Sequence, residues 1–235
     1  MLPSQCAICK AWPSQAICET CVAACARPVS RCHLCATPLS TPLSTSISSV
    51  LCNTLSSTFC SVCTQQRPDI DACCAALSYT WPWTQLIAQF KFQRDAGWAG
   101  HFALLMVSAP FAEDALLQAD VLIPIPLSKQ RLSQRGYNQS LILAHHLSRA
   151  KTQSQTLLRM IDTPPQSSLK RNQRLTNLAG AFAVAPLMAL SLRGQNILLI
   201  DDVLTSGATL NFAARVLKQA GAAHVGALVL AKTPE

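Results

Sequence analysis

The chain has 235 residues, half of them hydrophobic and 13% charged, and its 19 Lys and Arg outnumber 11 Asp and Glu for a net charge of +8. This composition excludes a disordered chain, and with no run of about 18 apolar residues a membrane-spanning helix is not expected. The opening stretch from Met1 to Cys6 has neither a basic nor an apolar leader segment, so a cytoplasmic location is expected.

The first element is cysteine-rich. Twelve cysteines in a reducing compartment are poor disulfide stock, and their spacing points to metal binding instead. Four CxxC pairs occur: Cys6 with Cys9, Cys18 with Cys21, Cys32 with Cys35, and Cys60 with Cys63. Two intervening residues let both sulfurs of a tight knuckle face one ion, and two knuckles complete a tetrahedral shell of four thiolates. Eight ligands therefore imply two zinc ions, structural because a closed shell has no open position. Sequential pairing gives Cys6, Cys9, Cys18 and Cys21 one ion and Cys32, Cys35, Cys60 and Cys63 the other; spacing leaves interleaved pairing open. Cys25 and Cys52 are alternative ligands, while Cys73 and Cys74 read as buried free thiols. A module of this kind over residues 1–70 is too small and too poor in aliphatics to fold without its metal. Its Ser/Thr-rich stretch near 37–58 has the composition of a mobile loop.

From residue 75 onward the pattern is that of an α/β domain. Trp81, Trp83 and Trp98 could stack on bases, although core packing or covering the sheet is the first expectation. Val121 to Ile125 read as a buried strand interrupted by Pro124, followed by a basic loop from Leu127 to Ser140 and a helix through Leu141, Ala144 and Leu147. His145 and His146 on that helix read as surface or core residues. Between Val121 and Gly180 stand Lys129, Arg131, Arg135, Arg149, Lys151, Arg159, Lys170, Arg171 and Arg174, with Asp162 the only acid. The segment alone accounts for the net charge of the chain, which implies an anionic partner such as a diphosphate or a nucleic-acid backbone.

The most informative stretch comes last. Ile197 to Ile200 form an apolar run suited to a strand buried on both faces, followed by Asp201, Asp202 and a turn bearing Thr205, Ser206, Gly207 and Thr209. Leu210, Ala213, Ala214 and Leu217 then recur at helical spacing, Gly221 supplies a stop, and Val225 to Leu230 read as another buried strand. In such a βαβ unit the loop lies at a helix N-terminus whose N–H groups suit a phosphate. Carboxylates would repel that phosphate, so the acid pair calls for sugar hydroxyls or a hydrated cation such as Mg²⁺.

Residues 197–209 resemble the PRPP-binding motif of type I phosphoribosyltransferases, with Ser206 in place of a frequent second Thr. That resemblance implies that Asp201 and Asp202 hold the ribose hydroxyls, with Val203 and Leu204 leading into a 5-phosphate cradle of Thr205, Ser206, Gly207, Ala208 and Thr209. Taken with Pro124-Ile-Pro-Leu127, Arg131, Arg135-Gly-Tyr-Asn-Gln139, Gln166, Leu169, Arg174, Asn177, Gly180-Ala-Phe182, Tyr79 and Lys91-Phe92, the chain resembles the ComF family of competence-associated, phosphoribosyltransferase-like proteins with an N-terminal zinc ribbon. The resemblance implies a type I phosphoribosyltransferase-like parallel sheet flanked by helices over residues 75–235, preceded by the double zinc ribbon. Pro124 to Ser128, including Pro126 and Leu127, would form the pyrophosphate loop. Arg131, Arg135, Asn138 and Gln139 would face the diphosphate or acceptor pocket, and Arg174 and Asn177 would belong to a closing segment. Two functions follow: Mg²⁺-dependent phosphoribosyl transfer in a setting of DNA uptake or use of DNA-derived nucleobases, or single-stranded-DNA binding beside DNA-uptake proteins with PRPP as a regulatory ligand. No general base stands out for the first.

Overall fold

The computed structural model describes residues 4–39, 59–93, 95–160 and 180–234. Two cysteine clusters open the chain, and they repeat one design. In each, a CxxC knuckle is closed by a short antiparallel bridge, Ser4 with Ser14 and Arg31 with Pro38. The backbone turns back where the Lys10 N–H donates to the Cys6 carbonyl at 2.9 Å and the Ala36 N–H to that of Cys32 at 2.8 Å. The second half of each cluster starts a short helix, α1 (Glu19–Cys25) or α2 (Ser61–Gln65), with Cys18 or Cys60 at its N-cap and Cys21 or Cys63 inside it.

The main sheet contains β1 (Ala72–Ser78), β2 (Val121–Pro124), β5 (Asn196–Leu204) and β6 (His224–Lys232) in the order β1-β6-β5-β2, every neighbouring pair parallel. A separate antiparallel pair, β3 (Leu157–Arg159) and β4 (Phe182–Val184), stands beside it. One face of the sheet is covered by α3 (Trp83–Phe92), α4 (Trp98–Val107), α5 (Ala112–Gln118) and α7 (Gln139–Ser148), with Trp83, Phe90 and Phe102 fully buried there. Each such side chain contributes roughly 1.5–3 kcal/mol through the apolar surface it removes from water. The other face carries α8 (Ala208–Gln219), which buries Leu210, Ala213, Ala214 and Leu217, the four positions set by its helical period. Trp83 and Trp98 are core residues; Trp81 is exposed, as are His145 and His146. Among the described residues no helix is long and apolar enough to cross a membrane.

Three local expectations need correction. β5 does not end at Ile200: Asp201 pairs with Val229 and Leu204 with Lys232, so the acid pair sits within the strand because β6 is long enough to supply ladder partners. The basic stretch is not a loop but a short helix, α6 (Lys129–Arg135), started by the Ser128 hydroxyl accepting the Arg131 N–H at 3.3 Å and ended by Gly136 at φ 82°. Not every cation counted between Val121 and Gly180 is left for an anionic partner. Lys151 is spent on the carbonyls of Leu116, Leu117 and Ala119 at the end of α5, at 2.9, 3.2 and 2.7 Å.

Pro124 is tolerated because β2 is a sheet edge. The Leu122 N–H faces outward to the Lys151 carbonyl at 2.9 Å while the Ile125 N–H faces β5, donating to the Ile200 carbonyl at 3.0 Å. By alternation, the donor that Pro124 lacks would have pointed away from β5.

The cysteine module is tied to this domain by specific bonds. The Cys73 N–H donates to the His33 carbonyl at 2.6 Å, Arg31 Nη2 to the Ser78 hydroxyl at 3.0 Å, and Trp83 Nε1 to the Cys25 carbonyl at 2.8 Å.

Candidate functional site

The site begins at the carboxyl end of β5, where α/β sheets place ligands. Asp201 and Asp202 occupy adjacent strand positions, and neighbouring elements hold each in a different way. The Ser140 hydroxyl, in the first turn of α7, donates to Asp201 Oδ1 at 2.9 Å, as does the Asp202 N–H at 2.9 Å. Lys91, in the last turn of α3, places its ammonium 2.8 Å from Asp202 Oδ1, with the two side chains 14% and 10% exposed. Burial, followed by the neighbouring Asp202 charge, pushes the Asp201 carboxyl up to about 7 against the pull of the Asp202 N–H, Lys91 and Ser140.

Beyond Leu204 the chain turns through Thr205, Ser206 and Gly207 into α8. Gly207 sits at φ 77°, a conformation costly for residues with a Cβ, and forms the helix N-cap. Thr205 and Ser206 are exposed, Thr209 is half-buried, and Ala208 is buried. The loop is fixed from below by Lys232 at the end of β6, itself only 3% exposed, whose ammonium donates to the carbonyls of Thr205 and Thr233 at 3.1 and 3.0 Å.

The third part is the junction between β2 and α7. The loop after Pro124 runs through half-buried Pro126 and Leu127 to Ser128. Asn138, the N-cap of α7, donates from Nδ2 to the Ile125 carbonyl at 3.0 Å and accepts the Ser140 N–H at 3.0 Å. Gln139 is fully buried: its Oε1 accepts from Arg135 Nη1 at 3.0 Å and its Nε2 donates to the Lys91 carbonyl at 3.4 Å. The Arg135 guanidinium lies over the Phe92 ring, 5.2 Å from its centroid, and the Tyr137 hydroxyl donates to the Phe90 carbonyl. Asn138 and Gln139 thus serve inside the scaffold that joins α3, α6 and α7. Arg131 lies half-buried on α6, while Arg174, Asn177 and the closing segment fall outside the described residues.

Sequence reasoning assigned no role to three residues of this site: Ser140, Lys232 and Lys91, the last named only as part of the family resemblance. Only Lys232 carried a signal of its own, since a lysine ending an otherwise apolar strand needs a polar partner. Lys91 comes from an element about 110 residues from the acid pair, and no local pattern joins them.

The cysteines form two groups, Cys6, Cys9, Cys18 and Cys21, and Cys32, Cys35, Cys60 and Cys63, in each of which the sulfurs lie within 4.8 Å of one another. This is the sequential pairing; Cys25 belongs to neither group, and Cys52 falls outside the described residues. The Cys9–Cys18 and Cys35–Cys60 sulfur separations are both 3.6 Å, close to the edge of about 3.8 Å in a tetrahedron of 2.3 Å metal–sulfur bonds. The Cys32 thiol is drawn down to about 4, first by the Cys35 thiol that donates to it, which makes it a ready thiolate ligand. Cys73 is buried, and burial raises both its thiol and that of Cys74, as expected of inert thiols.

A cavity of about 810 Å³ lies at the opposite, amino end of the sheet, between Arg31, His33, α5 and the starts of β1, β5 and β6. It lacks the acid pair and the hydroxyl loop. A smaller one of about 270 Å³ separates Cys35, Cys60 and Cys63 from Ser206, Gly207 and Asn211, so the second cluster abuts the hydroxyl loop.

Parallel sheet, acid pair and hydroxyl loop define a phosphoribosyltransferase-type domain, and a family model described as phosphoribosyl transferase domain matches residues 106–235. The chain is 30% identical over 242 residues to the DNA utilization protein YhgH of Salmonella typhimurium, covering 99% of this chain and 98% of that one. It is 37% identical over 150 residues to competence protein ComFC of Bacillus subtilis, covering 63% and 59%, and 31% identical over 181 residues to competence protein F of Haemophilus influenzae, covering 74% and 78%. The chain belongs to the ComF family.

Proposed function

We propose that the chain binds PRPP with Mg²⁺ at Asp201, Asp202 and the Thr205–Thr209 loop, in the service of DNA uptake or of the use of DNA-derived nucleobases. The observation that carries this reading is the placement of two adjacent carboxylates and an exposed hydroxyl loop at one strand end, with the loop opening a helix. The carboxylates supply the hard oxygen donors that suit Mg²⁺ and sugar hydroxyls. Thr205, Ser206, Thr209 and the first amides of α8 supply donors for a phosphate monoester. Arg131 and Arg135 supply cations for the diphosphate beside the Pro126–Leu127 loop, which Asn138 anchors through the Ile125 carbonyl. The chemistry open to PRPP there is displacement of diphosphate at C1 by a nitrogen nucleophile, with Mg²⁺ supplying neutralisation of the departing charge. Calorimetry with PRPP and Mg²⁺ tests binding; diphosphate release over a panel of nucleobases tests turnover. No heat of binding would remove the reading.

The same chemistry fixes a pH dependence. A carboxyl raised to about 7 is protonated in the folded chain at pH 5 but ionised in the unfolded one, so the stability it contributes is full below about pH 4 and is lost as pH rises through 7. Mg²⁺ and sugar hydroxyls call for the ionised form. PRPP affinity is therefore expected to rise between pH 6 and 8, with a slope of up to about tenfold per unit below pH 7; a flat profile would contradict this.

The two cysteine clusters are read as structural zinc sites, since four thiolates in a closed tetrahedron suit that ion. A second reading, single-stranded-DNA binding, is favoured by one feature. α3 follows the carboxyl end of β1 and brings Lys91 to Asp202 on β5; Trp81, just before this helix, and Phe92, its last residue, are each 67% exposed, the latter beneath Arg135. Exposed rings beside a cation suit base stacking. Fluorescence anisotropy with a labelled strand should then show affinity that falls steeply with salt and with Arg135→Ala.

A further inference from the structure

We propose that Lys91 is a tethered cation that occupies the acid pair until a divalent ion arrives together with its anionic ligand. This rests on the reading of the site given above. Three consecutive residues in the last turn of α3 are tied to the α6–α7 junction: Phe90 through Tyr137, Lys91 through Gln139, and Phe92 beneath Arg135. The Lys91 backbone is therefore fixed, and its side chain is the part left to move. Its ammonium sits 2.8 Å from Asp202 Oδ1, on an oxygen that a divalent cation would use, and both side chains are largely buried.

Two adjacent, largely buried carboxylates demand a cation, because removing one partner of such a pair leaves an uncompensated charge. An ammonium on a flexible four-carbon stem meets that demand without leaving the protein. A bare dication must displace Lys91 and is then repelled by the ammonium it has freed. A dication that arrives with a diphosphate brings the charge to which that ammonium can turn. Lys91 thereby couples entry of the metal to entry of the anion.

The test uses Mn²⁺ alone as a spectroscopic probe, titrated into the full chain and followed by electron paramagnetic resonance. Lys91→Met is expected to bind Mn²⁺ at least about tenfold more tightly than wild type, within the usual range of coupling between two ligands. Adding Asp202→Asn should abolish that gain, and Lys91→Arg, which retains a cation, should restore weak binding. If Lys91→Met fails to fold, Lys91→Gln is read in the same way. Equal Mn²⁺ affinity in wild type and the charge-removing variant would overturn the proposal. The comparison contains no PRPP, so an absence of PRPP binding would count against the proposed function while this contrast decides the role of Lys91.

Discussion

Replacing Cys32 and Cys63 with serine is expected to remove one of two bound metal ions and to unfold the second cluster. Both side chains are buried, at 0% and 5% exposure, in a group whose remaining apolar partners are few. A structural zinc site contributes on the order of 10 kcal/mol of folding free energy, comparable to the whole stability of a small domain. The damage should not stop there. Cys35, Cys60 and Cys63 face Ser206, Gly207 and Asn211 across a cavity of about 270 Å³, so loss of the metal removes one wall behind the hydroxyl loop. Elemental analysis should fall from two zinc ions to one, and PRPP affinity should fall with it. Cys25→Ser is the control, because Cys25 belongs to neither group and its replacement should leave both ions in place. Two ions in the double variant, or one in the control, would contradict the pairing.

Exchanging both carboxylates for amides, Asp201→Asn with Asp202→Asn, should weaken PRPP binding by about 10²–10⁴-fold. The figure follows from two hydrogen bonds to charged groups at about 1.5–3 kcal/mol each. The single variants should differ in stability. Asp201 is ionised only against the cost of burial and of the adjacent charge, so Asp201→Asn is expected to leave the melting temperature at pH 8 unchanged or higher. Asp202→Asn strands the Lys91 ammonium in a largely buried position and should lower it. Equal PRPP affinity in the double variant and wild type would detach the ligand from these residues.

Much of this architecture was legible in the residues because local chemistry and global fold agree there. The β5–α8–β6 unit declared itself through periodicity, Gly207 and Gly221, and the cysteine spacing identified two metal groups although not their pairing. Pairing depends on where α1 and α2 begin, which spacing alone does not encode. The errors arose where tertiary contacts act. Asp201 and Asp202 belong to the strand because of the length of β6, and the basic stretch is helical although Ser128 and Gly136 were available as cap signals. Charge counting placed Lys151 with a group facing an anion, whereas it serves the end of α5. Lys91 shows the same limit: its role is set by the packing of the last turn of α3 beside Asp202 and the α6–α7 junction, not by local sequence.

A crystal structure of the chain grown with PRPP and Mg²⁺ decides whether the carboxylates and the hydroxyl loop hold this ligand together. The 5-phosphate is expected against Thr205, Ser206 and Thr209 at the start of α8, the ribose hydroxyls on Asp201 and Asp202, and the Lys91 ammonium turned away from Asp202. A loop without ligand density, with Lys91 still paired to Asp202 at saturating PRPP, would contradict it.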